Sequence, residues 1–161
     1  MAVDMFLKIN GIDGESKDAT HIGQIDVLAW SWGMSQSGSF HVGGGGGAGK
    51  VNVQNLNFTK YVDKASPNLM LFCSNGTHIT DATLYVRKAG KTPLEYIIIE
   101  MKKIMVVAVS TGGSGGEDRL TENISFNFAH VKVDYQQQKD DGAKEGGPVT
   151  YLWDIEANKS Q

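Results

Sequence analysis

Apolar side chains recur at every second position through most of the chain, the period of a β-strand with one covered face. Met5, Leu7 and Ile9 alternate with Phe6 and Lys8 in a first candidate strand. Over residues 25–34, Leu28, Trp30, Trp32 and Met34 share one face, and Ile25, Val27, Ala29, Ser31 and Gly33 share the other. The bulk of the first set predicts that it faces the core. Residues 51–62 also read as strand, but the apolar parity shifts from Val51 and Val53 to Leu56 and Phe58. Residues 78–88 place Ala82, Leu84 and Val86 together. Residues 94–109 are apolar on both faces, the mark of a long strand covered on both sides. Within residues 121–135 the apolar parity changes between Phe128 and Val131, which predicts a bulge. Val149, Tyr151, Trp153 and Ile155 close the series. About seven strands separated by Gly- and Asp-rich turns predict a sandwich or barrel.

One segment breaks the pattern. Ser66 is a candidate cap, Pro67 suits the first helical position, and Gly76 can end a helix in the left-handed conformation. The residues between, Leu69 to Cys73 among them, supply an apolar face. No internal repeat or change of composition divides the 161 residues, so one domain spanning 1–161 is expected.

Charge and composition narrow the function. Fifteen basic and eighteen acidic residues leave a formal charge of −3, without the basic cluster that a nucleic-acid surface requires. Cys73 is the only cysteine, which rules out an intrachain disulfide and a cysteine zinc site. Asp4 and Lys8 interrupt the first strand, so it does not read as a secretory leader, and no 18-residue apolar span occurs. The expectation is a soluble chain made in the cytoplasm, without membrane insertion, that leaves the cell without a cleaved leader if it leaves at all.

Candidate chemistry is sparse. Within the glycine run that starts at Gly43, Gly44 through Lys50 has the spacing of a phosphate-binding loop. Val51 stands where that loop needs Ser or Thr, and a strand follows where it needs a helix. Ser114 sits in a G-x-S-x-G pattern that a long glycine-rich stretch meets by chance, again with no helix pattern behind it. The four histidines are scattered, so no metal site is expected. Trp30 and Trp32 could form a stacking platform in a small-ligand or carbohydrate-binding sandwich. With Leu28 and Met34 on the same face, core burial is the stronger reading.

Several blocks, in order along the chain, are similar to the haemolysin-coregulated protein (Hcp) family of type VI secretion. They include Met1-Ala2-Val3-Asp4-Met5-Phe6, Gly14-Glu15-Ser16-Lys17-Asp18 and the specific run Ile25 through Met34, followed by Gln36-Ser37-Gly38. Phe58-Thr59-Lys60-Tyr61, Arg87-Lys88-Ala89-Gly90, Ser110-Thr111-Gly112-Gly113, Leu120-Thr121-Glu122-Asn123, Val133-Asp134-Tyr135 and Gly146-Gly147-Pro148 continue the likeness. Gln137 departs from it, standing where many relatives have proline.

The resemblance implies a mainly β fold, a partly open β-barrel built of two sheets with one flanking α-helix. It further implies hexameric rings with a central hole, stacked into a tube that a contractile sheath fires from the cell and that carries effectors in the lumen. Partners would be further copies of the chain, effector proteins, and the sheath and spike of the apparatus, with no cofactor. Some relatives carry a toxin domain after the barrel. This chain stops soon after its last strand, so no enzymatic activity of its own is expected. On such a ring, alternation along residues 25–34 nominates Ala29, Ser31 and Gly33 for the channel wall. Gly43, Gly44, Gly45, Gly46, Gly47 and Lys50 are nominated for the loop that meets the next ring.

Overall fold

The computed structural model describes residues 2–38, 40, 41 and 49–160. The strands are β1 (Val3–Ile9), β2 (Ile25–Ser31), β3 (Met34–Ser35), β4 (Asn52–Val53), β5 (Leu56–Tyr61), β6 (His78–Lys88), β7 (Leu94–Thr111), β8 (Thr121–Tyr135), β9 (Val149–Asp154) and β10 (Lys159–Ser160), with one helix, α1 (Ser66–Asn75). Eight strands form one antiparallel sheet in the order β10-β9-β8-β5-β2-β1-β6-β7, and β7 also pairs with β8. That extra pairing closes six strands into a barrel, with β9 and β10 extending it from β8. The short β3–β4 pair forms a second sheet. Closure is thinnest between β1 and β2, which share only Phe6↔Asp26 and Leu7↔Ile25.

The interior is filled by the alternating residues the pattern identified on β6, where Ala82, Leu84 and Val86 are all buried. Leu7, Leu56, Met101, Ile104 and Phe126 are fully enclosed beside them. On β2 the expected core face is half right. Ile25 and Val27 are buried, whereas Leu28 is 38% exposed and Met34 42%. A register shift between Val27 and Ala29 exchanges the faces, so the core set changes from odd to even positions in mid-strand. Trp30 and Trp32 then pack against the core as expected.

The parity shift over residues 51–62 is a break between two strands rather than a bulge. β4 belongs to the small sheet and β5 to the barrel. The change within β8 is real, but its pairing with β7 stays in register across it, through Ile104↔Phe128 and Lys102↔His130. Register holds because three strands switch face at one level. Ile79 and Ala82 on β6, Met101 and Ile104 on β7, and Phe128 and Val131 on β8 are all buried. Two consecutive residues of each strand therefore turn outward together. Lys103, at the centre of this step, has a φ of 53°, uncommon for a residue with a side chain.

Helix α1 ends as predicted. Gly76 takes φ 71° and its N–H donates to Phe72 O at 3.0 Å. Its start differs. Ala65 is the N-cap and makes no side-chain cap bond, while Ser66 is the first helical residue and turns its hydroxyl inward. There it meets Lys60, whose side chain is fully buried. The Lys60 ammonium lies 2.6 Å from Glu122 Oε1, 2.8 Å from Asp63 Oδ1 and 3.1 Å from Ser66 Oγ, and also donates to Tyr61 O. Ser66 Oγ donates to the same Glu122 oxygen. This ionic knot ties the helix start to β5 and β8.

The connection from β1 to β2 lies folded on the barrel. A Cβ at Gly14 would fall 2.5 Å from Gln24 O, so only glycine fits that close approach. Arg87 clasps this connection to β6, with Nη2 2.6 Å from Asp18 Oδ2 and 3.1 Å from Asp4 Oδ2. Hydrogen bonding to Arg87 holds the Asp18 carboxyl well below the usual carboxylate range, against a smaller opposing effect of burial. A lowered carboxyl stabilises the fold fully above the unfolded value of about 4, and that contribution is lost only as pH falls through the folded value. Asp18→Asn should therefore cost the same stability at pH 7 and pH 5, and urea melts across pH check this. A cost that shrinks between those two pH values would contradict it.

Candidate functional site

With the faces settled, the outward positions of four adjacent strands fall into two transverse rows. One row runs Ala29, Thr59, Asn123, Ser110 and the next Ser31, Asn57, Ser125, Ala108, across β2, β5, β8 and β7. Every member is small or short, and none carries a charge. Behind them, Trp30, Phe58, Ile124 and Val109 form the matching inward row.

The outward rows are braced laterally. Thr59 Oγ1 donates to Asn123 Oδ1 at 2.7 Å, Ser125 Oγ donates to Asn57 Oδ1, and Asn127 Nδ2 donates to Asn55 Oδ1 at 2.9 Å. Cross-strand pairing of polar side chains fixes their rotamers and leaves a level, neutral surface. Such a surface can touch many partners and grips none through a deep pocket or an ion pair. Neither hydrophobic docking nor charge steering is built into it.

Ala29 and Ser31 are both exposed and lie within these rows, as the alternation placed them. Gly33 lies past the end of β2, where its carbonyl accepts the Gln54 N–H at 2.9 Å beneath the β3–β4 arm. Lys50 is exposed beside that arm. Gly43, Gly44, Gly45, Gly46 and Gly47 lie outside the described residues. Sequence reasoning missed Asn57, Thr59, Asn123, Ser125, Ala108 and Ser110. The alternation of β5 and β8 points them outward, but nothing in one sequence aligns those strands with β2.

The other chemical readings fare differently. Ser114 sits in a turn in which its carbonyl accepts the Glu117 N–H, and strand β8 follows. No helix comes after it, so the geometry of a nucleophile elbow is not formed. Trp32 packs against the core 6.2 Å from the Phe128 ring, with Nε1 donating to Gln54 O at 2.9 Å. Both tryptophans pack against the core, as the burial reading expects.

The fold is thus a closed six-strand barrel that carries an uncharged polar face across β2, β5, β8 and β7. A family model described as "Type VI secretion system effector, Hcp" matches residues 6–135. The protein hcp1 of Pseudomonas aeruginosa is 67% identical over 159 residues, spanning 98% of each chain. The crystal structure of Hcp1 from Salmonella typhimurium superimposes with a TM-score of 0.82 at 42% identity, covering all of both chains. The structure of a type six secretion system protein reaches a TM-score of 0.94 at 28% identity, covering 99% of this chain and 100% of that one. The chain belongs to the Hcp family of type VI secretion proteins. It is a self-assembling subunit of the secretion tube, in a family of secreted structural proteins and not of enzymes. No helix among the described residues is long and apolar enough to cross a membrane.

Proposed function

We propose that six copies close into a ring, that rings stack head to tail, and that the two uncharged rows line the hole and hold effector proteins during transit. The observation that carries this reading is the pair of rows itself. Eight residues on four strands form a continuous face without a single charge, too polar for a subunit core. A channel that must retain varied cargo and release it on delivery needs such a wall. Closure by rotation gives a ring from one heterologous contact. The glycines at 43–47, with Lys50, serve the contact between rings, where close backbone approach is useful. Sheath and spike proteins are the remaining partners. The chain acts as scaffold without chemistry of its own, made in the cytoplasm and exported by the secretion apparatus.

Sedimentation should show a species of about 104 kDa, six times 17.4 kDa, and negative-stain images should show a ring with a hole. Ser31→Gln then adds a longer amide to the wall at an exposed position and leaves Trp30 and Trp32 in place. Rings should persist while co-purification of at least one effector falls several-fold. Unchanged effector retention, or a protein that stays monomeric at micromolar concentration, would overturn the reading.

A further inference from the structure

The step at which β6, β7 and β8 change face turns His130 outward, directly across from Asp154 at the end of β9. His130 Nδ1 lies 3.8 Å from Asp154 Oδ2. That separation lies near the roughly 3.3 Å between two ligand atoms held tetrahedrally about 2.0 Å from one zinc ion. Asp154 Oδ1 accepts the Ala157 N–H at 2.9 Å, so the turn after β9 orients the carboxylate with Oδ2 toward the imidazole. Glu156, in the same turn, supplies a third donor. Ligand atoms of His130, Asp154 and Glu156 all lie within 4.8 Å of one another.

A second observation marks the same spot for positive charge. Lys103 sends its ammonium to Glu156, 3.0 and 3.4 Å from the two carboxylate oxygens. It does so from φ 53°, a backbone state held against steric cost in the middle of a strand. A cation is thus already drawn to one of the three donors.

We infer that His130, Asp154 and Glu156 bind a first-row divalent metal ion, which displaces the Lys103 ammonium from Glu156. One imidazole nitrogen and two carboxylate oxygens suit zinc and its neighbours, with water in the fourth position. Calcium and magnesium favour donor sets made of oxygen alone. Glu156 is 60% exposed and must leave its lysine, so binding is of moderate strength and exchangeable. The bound ion would fasten the turn between β9 and β10 onto β8.

Calorimetric titration of the full chain with zinc chloride tests this. One zinc per chain is expected, weakened at least tenfold by His130→Ala and by Glu156→Gln. Lys103→Gly removes the competing ammonium and relieves the backbone, so it should tighten zinc several-fold while all three donors remain. That variant keeps the test decisive if His130→Ala fails to fold. Zinc should also slow amide exchange at residues 154–160. Absence of binding at millimolar zinc would overturn the inference. So would binding that neither His130→Ala nor Glu156→Gln weakens, or a Lys103→Gly affinity equal to that of the parent.

Discussion

Lys60→Met is expected to lower the unfolding free energy by about 3–5 kcal/mol, the cost of breaking a buried ion pair from one side. The ammonium bridges Glu122, Asp63 and Ser66, and the Lys60 and Glu122 side chains are both wholly buried. Without it, the Glu122 carboxylate keeps the Ser66 hydroxyl on Oε1, while Oε2 has no hydrogen-bond partner among the described residues. Asp63 sits nearer the surface and can recover water. Guanidinium unfolding at fixed protomer concentration measures the loss, since assembly also adds stability by mass action. The double variant Lys60→Met/Glu122→Leu removes both charges and should regain most of it, because an apolar pair of similar volume can replace a buried ion pair. A single variant that loses under about 1 kcal/mol would show that the knot is hydrated and contributes little.

Phe126→Ala is expected to cost about 3–5 kcal/mol, the range for emptying a fully enclosed aromatic site. Phe126 is completely buried and meets the edge of Phe58 at a centroid distance of 5.1 Å and an interplanar angle of 76°. Its strand neighbours Ser125 and Asn127 belong to the braced outer surface, so a cavity here also loosens the wall in front of it. Phe126→Leu retains most of the volume and should cost about 1–2 kcal/mol. Thermal melts of the two variants separate the outcomes. Equal losses for Ala and Leu would point to the aromatic pair geometry, and not to cavity formation.

Much of this was legible in the alternation of residues. Ala82, Leu84 and Val86 declared the inner face of β6 because that strand pairs through this stretch without a local irregularity. Leu28 misled, because the shift between Val27 and Ala29 exchanges faces and leaves no mark in residue type. The ionic knot did leave a signal. Lys60 is in phase with Leu56 and Phe58, and Glu122 with Ile124 and Phe126. A lysine and a glutamate each locked to an inward phase call for each other. The uncharged rows were legible only at β2, because strand adjacency is a property of pairing and β8 lies more than ninety positions away in sequence. His130 and Asp154 looked unrelated for the same reason, since only the β8–β9 ladder sets them opposite each other.

The line between β1 and β2 is held by two residue pairs, whereas β7 and β8 run together along most of their length. A cylinder joined unevenly in this way behaves like a split sleeve. Under load from neighbouring subunits it can widen along its weak line while the rest of the wall keeps its curvature, since local opening follows the fewest contacts. The connection clasped by Arg87 to Asp18 leaves β1 and enters β2, so it spans that slit from outside.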